Sequence, residues 1–109
     1  RRGRRRDSEA NLSLSVQLVA EAEADLEEAA AWYEKQQSGL GRSFLDEALV
    51  AFRSIADNPE LYPAVHKNVR RRLMRRFPFG IFYLQENDSL VVLAVMHGSR
   101  HPRRWQSRG

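Results

Sequence analysis

Hydrophobic and polar positions along the chain change period three times, and each change marks an element. Leu14, Val16 and Leu18 alternate with Ser15 and Gln17, the period-2 signature of a short strand. Ala22, Leu26, Ala29, Ala30 and Tyr33 then recur at helical spacing, with Glu23, Glu27, Glu28 and Glu34 off that stripe. Ser38-Gly39 breaks this helix. A second helical stripe follows in Phe44, Leu45, Ala48, Leu49, Phe52, Ile55 and Ala56, and Asn58-Pro59 stops it, because a residue before proline disfavours the α region. The short Ser38–Gly41 connection makes the two helices an antiparallel hairpin.

Beyond Pro59 the spacing predicts a loop to Asn68, then strands at about 69–77, 79–86 and 89–97. Pro78 falls at the first junction and Glu86-Asn87-Asp88 at the second. Phe79 to Leu84 and Leu90 to Val95 are apolar at nearly every position, as in central strands covered on both faces. The expected class is α+β: an N-terminal strand, an antiparallel helix hairpin and a three-stranded antiparallel meander in one sheet, which the helix stripes cover. Residues 1–12 are polar and charged, too poor in apolar surface to offset their ordering entropy. They are expected to be a disordered basic extension or a tag, leaving 13–109 as a single domain.

Composition narrows the function classes. The 109 residues contain no cysteine, which excludes disulfides, thiolate metal sites and a cysteine nucleophile. No apolar run approaches the roughly 20 residues of a membrane span, so a soluble, cytoplasmic protein without membrane association is expected. The net charge of +4 hides a strong segregation. Residues 1–6 carry five arginines and no acid, residues 7–65 three bases and twelve acids, and residues 66–109 ten bases and two acids. Arg70-Arg71-Arg72, Arg75-Arg76 and Arg103-Arg104 have few acids near them in sequence. Clusters of this kind point to an outward cationic patch for a polyanion or an acidic partner.

Four stretches, taken in order, carry a family resemblance. They are Ala22 to Ala29 with Trp32-Tyr33-Glu34; Gly39 to Leu45; Asn58-Pro59-Glu60 with Arg72 to Phe77; and Val92 to His97 with Arg100-His101-Pro102 and Trp105. On these the chain resembles the RelE/ParE superfamily of toxins from type II toxin–antitoxin systems, and is most similar to its ParE, or plasmid-stabilisation, branch, over about residues 13–107. The resemblance implies a growth-inhibiting toxin, without cofactors, neutralised by a cognate antitoxin in a hetero-oligomer. For the ParE branch it implies inhibition of DNA gyrase. For the RelE branch it implies cleavage of messenger RNA in the ribosomal A site by basic residues on the sheet and an aromatic near the C-terminus.

The candidate residues follow from both lines of reading. Arg71, Arg72, Arg75, Arg76, His97, Arg100, Arg103 and Trp105 are the candidate target or partner contacts, and Trp32 and Tyr33 the candidate antitoxin groove. A metal-free ribonuclease needs a base for the 2′-hydroxyl, a cation for the phosphorane and an acid for the leaving oxygen. Arginines stay protonated and supply only the cation, so Arg71, Arg75 and Arg100 would need His97 and His101 for the proton transfers. The RelE pattern is broken here. Gly80 stands where RelE-like nucleases carry an arginine, Arg71 and Leu73 replace their lysines, and Trp105 cannot donate a proton as their tyrosine does. Three single residues keep two readings each. His97 caps a strand or contacts the target; Trp105 anchors the tail on the core or stacks on a base; Trp32 packs locally or lines the antitoxin groove. No cysteine or acid close in sequence completes a metal shell around His97 and His101.

Overall fold

In the computed structural model, residues 14–98, 103–106 and 108 are described, with only the backbone of Arg103 and Arg104. The order is β1 (Ser15–Leu18), α1 (Ala20–Gln36), α2 (Leu40–Asp57), β2 (Ala64–His66), β3 (Val69–Leu73), β4 (Phe79–Glu86), β5 (Ser89–His97) and the short α3 (Arg103–Gln106). The sequence-based expectation of a disordered 1–12 lies outside the described residues. The five strands form one sheet in the order β1-β5-β4-β3-β2. β1 pairs with β5 in parallel and the remaining pairs are antiparallel.

The helices form where the stripes predict. α1 ends at Gln37, whose N–H donates to the Tyr33 carbonyl, and Gly39 enters the left-handed region (φ 91°) to start α2. Neither helix starts with a side-chain cap of its own. Glu34 of α1 supplies the missing cap for α2: its carboxylate accepts the N–H groups of Gly39 (2.9 and 3.1 Å) and Gly41 (3.0 Å). The helices cross closely there. A Cβ on Gly41 would stand 2.5 Å from the Ala30 carbonyl oxygen, so a side chain at this position would force the helices to shift.

The hairpin covers one face of the sheet. Phe44, Ile55, Ile81, Tyr83, Leu90, Val92 and Val95 fill the layer between, with an aromatic knot in which Phe44 touches Tyr33, Phe77 and Phe79 at centroid distances of 5.4, 5.2 and 5.1 Å. The opposite face carries a second cluster, Val69, Phe82, Leu93, Ala94 and Met96, closed by Trp105 of α3. β4 and β5 are therefore buried on both faces, as their continuous apolar runs imply. A bulge opposite Phe82 and Tyr83 turns both Leu93 and Ala94 toward that second cluster.

Two details differ from the sequence-based expectation. The Pro59–Asn68 segment is not all loop: Ala64–His66 forms a short edge strand on β3, entered through Pro63, whose carbonyl accepts the Arg71 N–H. The basic strand is also shorter than 69–77 and ends at Leu73. Met74 donates its N–H to the Phe79 carbonyl, and residues 74–78 fold over the helix side, burying Met74 and Phe77. The expected alternation of faces therefore holds for Arg70 to Leu73 and stops before Arg75 and Arg76.

Candidate functional site

The β3 arginines divide by register. Arg71 pairs with Phe82 and lies on the outer face, away from the hairpin; Arg70 and Arg72 pair with Tyr83 and Ile81 and lie on the helix side. Arg70 Nη1 donates to the carbonyls of Tyr62 (2.6 Å) and Glu60 (3.4 Å). Arg72 donates from Nε to the Tyr62 hydroxyl (3.3 Å) and from Nη1 to the Leu73 carbonyl (3.1 Å), with its guanidinium 5.5 Å from the Tyr62 ring centre. Both arginines thus anchor the 58–63 segment through neutral acceptors and keep their positive charge. The Tyr62 hydroxyl is held below the ordinary phenol range by its hydrogen bond with Ser54, against burial, with the Arg72 hydrogen bond and charge adding to the effect. Tyr83, which donates to the Pro59 carbonyl at 2.6 Å, is pushed up to about 12 by burial.

Arg71 runs its aliphatic stem across Gly80. A Cβ there would stand 3.2 Å from Arg71 Cδ, so Gly80 marks a close approach. Arg71 Nε is buried and has no hydrogen-bond partner among the described residues. Past the end of β3, Glu47 of α2 organises the next two arginines. Its carboxylate accepts the backbone N–H of Arg75 and of Arg76 (3.1 Å) and the Arg76 Nε at 3.1 Å. Burial alone would raise the Glu47 carboxyl; these donors and the Arg76 charge outweigh burial, and its net shift is downward. Arg76 is thereby paired, whereas the exposed guanidinium of Arg75 has no bonded partner among the described residues.

The C-terminal candidates separate from this corner. Trp105 is 4 % exposed, stacked on Phe82 at 4.6 Å and edge-on to His66 at 5.9 Å. It anchors the tail and offers no surface for a direct partner contact. His97 points to the helix side, against Phe79 at 5.4 Å, in a groove it shares with Trp32 and Tyr33. Arg71 and His97, two of the five residues required for a nuclease reading, therefore sit on opposite faces of the sheet. Arg100 and His101, and the side chain of Arg103, lie outside the described residues. Among the described residues no three His, Asp or Glu side chains converge as metal ligands would, and no helix is long and apolar enough to cross a membrane.

The groove beside His97 has a volume of about 880 Å³ and lies between α1 and the upper part of β5. It exists because β1 pairs only with Ser89 to Val92, leaving the β5 edge from Leu93 onward without a strand neighbour. Asp25 accepts the Val95 N–H at 3.0 Å, and Arg108 donates to the Leu93 carbonyl at 3.2 Å and to Asp25 at 2.7 Å. Trp32, 58 % exposed, forms one lip, while Tyr33 turns inward to stack on Phe44 and burial raises its hydroxyl. Sequence reasoning missed Asp25 and Glu47. The available signal was their place on the helical stripes, Asp25 three positions after Ala22 and Glu47 three after Phe44: an acid there must find donors.

The sequence profile described as the ParE toxin of the type II toxin–antitoxin system parDE matches residues 16–102. Among solved structures, the chain is similar to one of a chromosomal ParDE toxin–antitoxin system from P. aeruginosa, with a TM-score of 0.67 at 15 % identity, covering 79 % of this chain and 97 % of that one. It is also similar to one of the toxin–antitoxin complex RelBE2 from Mycobacterium tuberculosis, with a TM-score of 0.56 at 16 % identity, covering 81 % and 94 %. At these identities the likeness shows the fold. No curated protein matches the chain in sequence.

Proposed function

Because the chain belongs to the ParE toxin family of type II toxin–antitoxin systems, we propose that it arrests growth by binding a cellular machine, DNA gyrase first among them, and that a cognate antitoxin silences it. Gyrase is what the family resemblance implies. The geometry supports one manner of action, occupancy of a surface without chemistry of the toxin's own. One observation carries this reading. Arg71, a phosphate-clamping candidate, and His97, a proton-transfer candidate, are separated by the full thickness of the sheet. A phosphodiester bound at one cannot reach the other, and general acid–base work needs hydrogen-bond reach. The β3 arginines, in contrast, keep their charge without a carboxylate partner among the described residues, Arg70 and Arg72 on the helix side and Arg71 on the outer face, with Arg75 beyond the strand, and this edge of the sheet suits an anionic target.

The antitoxin belongs in the α1–β5 groove. Its exposed Trp32 gives an apolar anchor, and the groove runs beside the part of β5 that pairs with no strand on that side among the described residues. Cytoplasmic action follows from either target.

Inducible expression of the chain in bacterial cells tests the proposal. Changed plasmid supercoiling with a DNA-damage response is the expected result. Cleavage of messenger RNA in the ribosomal A site with intact supercoiling would replace this reading with the nuclease, and normal growth would leave an inactive toxin-derived binding module. Co-expression with the neighbouring antitoxin should restore growth, and Trp32→Ala should weaken that rescue.

A further inference from the structure

The outer face of α2 carries a pattern that neither a toxin target nor the α1–β5 groove uses. The exposed residues of α2 are Arg42, Asp46, Leu49, Val50, Arg53 and Asp57, and no others on that helix are exposed. At helical spacing these six fall on one strip opposite the buried side. Leu49 and Val50, 52 % and 56 % exposed, are two of the most exposed large apolar side chains described. The strip is symmetric about the point between them. Arg42 and Asp57 lie equally far from that centre on either side and carry opposite charges, as do Asp46 and Arg53.

A strip of this kind is complementary to its own copy in one orientation. If a second α2 runs antiparallel across the same centre, Leu49 meets Val50 of the copy, Asp46 meets Arg53, and Arg42 meets Asp57. All three pairings occur twice, as a two-fold axis requires. A parallel alignment would set Arg42, Asp46 and Arg53 each against its own like charge, which is disfavoured. The outermost charges lie only about 11 Å from the centre along the helix. At the crossing of roughly 20° common for antiparallel helices, long side chains span the gap there. Within one chain Arg42 already approaches Asp46 at 3.1 Å, an exposed pair that contributes little and is open to a second partner. Asp57 also keeps an interaction inside its own chain.

We propose that this chain forms a two-fold homodimer through antiparallel packing of its α2 helices, with Leu49 and Val50 at the centre and the Asp46–Arg53 pairs fixing the orientation. A single helix pair lies at the small end of specific interfaces, below about 1,200 Å², so the dimer is reversible and its population follows concentration and salt.

Sedimentation of the purified full chain over a range of concentrations tests it. The parent chain is expected to move from monomer to dimer mass. Asp46→Arg and Arg53→Asp should each weaken self-association at least about tenfold, because each sets like charges together twice. The two variants mixed should dimerise with each other, since Arg at 46 then faces Asp at 53 in one pairing and Arg53 faces Asp46 in the other, and the double variant should dimerise with itself. A folding defect cannot produce that rescue. Val50→Asp, read by the same measurement, gives a second break at the apolar centre. A parent chain that stays monomeric to hundreds of micromolar would overturn the proposal and leave the strip to a different protein. A dimer indifferent to both charge reversals would overturn it equally, by assigning the contact to another surface.

Discussion

The helix hairpin and the β3–β4 corner carry charge of opposite sign, and the fold uses that charge differently in the two places. On the hairpin, acids work as caps: the exposed Glu34 for the start of α2, and the half-buried Asp25 for the open edge of β5 and Glu47 for the turn after β3. Each takes backbone N–H groups that would otherwise be orphaned, so its charge is spent on architecture. At the corner the arginines spend hydrogens but not charge, because Arg70 and Arg72 donate to carbonyls and a phenol. Arg76 is the exception, held by Glu47. Proximity of opposite charges within one chain is therefore not neutralisation. What decides is whether the acceptor is a carboxylate, and here the carboxylates were already committed to the backbone.

The largest expected break in this comparison comes at the seam. Phe44 is fully buried on α2 and meets Phe77 and Phe79, which closely follow Arg75 and Arg76 in the chain. Phe44→Ala should cost about 3–5 kcal/mol, measured by chemical denaturation. A loss under 1 kcal/mol would mean that the hairpin and the corner are not one cooperative unit. The next largest acts inside the hairpin. Gly41→Ala drives a Cβ to 2.5 Å from the Ala30 carbonyl, and a backbone oxygen cannot swing away as a side chain can. Overpacking of this kind costs about 1–3 kcal/mol, and in a domain of this size each kcal/mol lowers Tm by roughly 4–8 °C. An unchanged Tm would show that the helices can separate at their crossing without loss.

How legible each region was in the sequence follows from the same physics. The stripes of both helices and the runs of β4 and β5 report burial directly, and burial is where they sit. β2 was hidden because three residues, entered through Pro63 and irregular in register, carry too little pattern to separate a strand from a loop. The early end of β3 was hidden because Phe77 keeps the parity of Val69 and Leu73, although the backbone has already turned at Met74. The parallel pairing of β1 with β5 is a tertiary choice that no local spacing encodes. For the candidate site, the sequence showed the arginines but not their partners. The separation of Arg71 from His97 needed the register of three strands at once, and the bulge in β5 between them shifts that register.

Glu47 links the two regions, and cutting it should sharpen their difference. Its side chain is 11 % exposed, whereas that of Arg76 is 65 % exposed, so the backbone donors contribute more than the ion pair. Glu47→Gln should cost about 1–2 kcal/mol at neutral pH. The sign of the pH dependence is set by the downward shift of its carboxyl. The contribution is complete above the unfolded value of about 4.3 and is lost as pH falls through the lower folded value. The gap between parent and Glu47→Gln should therefore be constant from neutral pH to about 5 and close in more acid solution. A gap that widened on acidification would place the shift in the opposite direction.

The smallest effect on the fold is expected where the effect on function should be plain. Arg75 has its backbone N–H fixed by Glu47 but its guanidinium in solvent. Arg75→Ala removes no buried contact, so stability should stay within about 0.5 kcal/mol of the parent. If the corner grips an anionic target, the same change should reduce growth arrest on induction, and Arg75→Lys should retain most of it, because an exposed electrostatic contact needs charge more than the planar fork. The pair of outcomes separates the two uses of charge. An Ala variant that is stable and inactive assigns Arg75 to the partner. One that is stable and fully toxic removes the corner from the target surface, and one that unfolds would show that this arginine, like the acids of the hairpin, was holding the architecture after all.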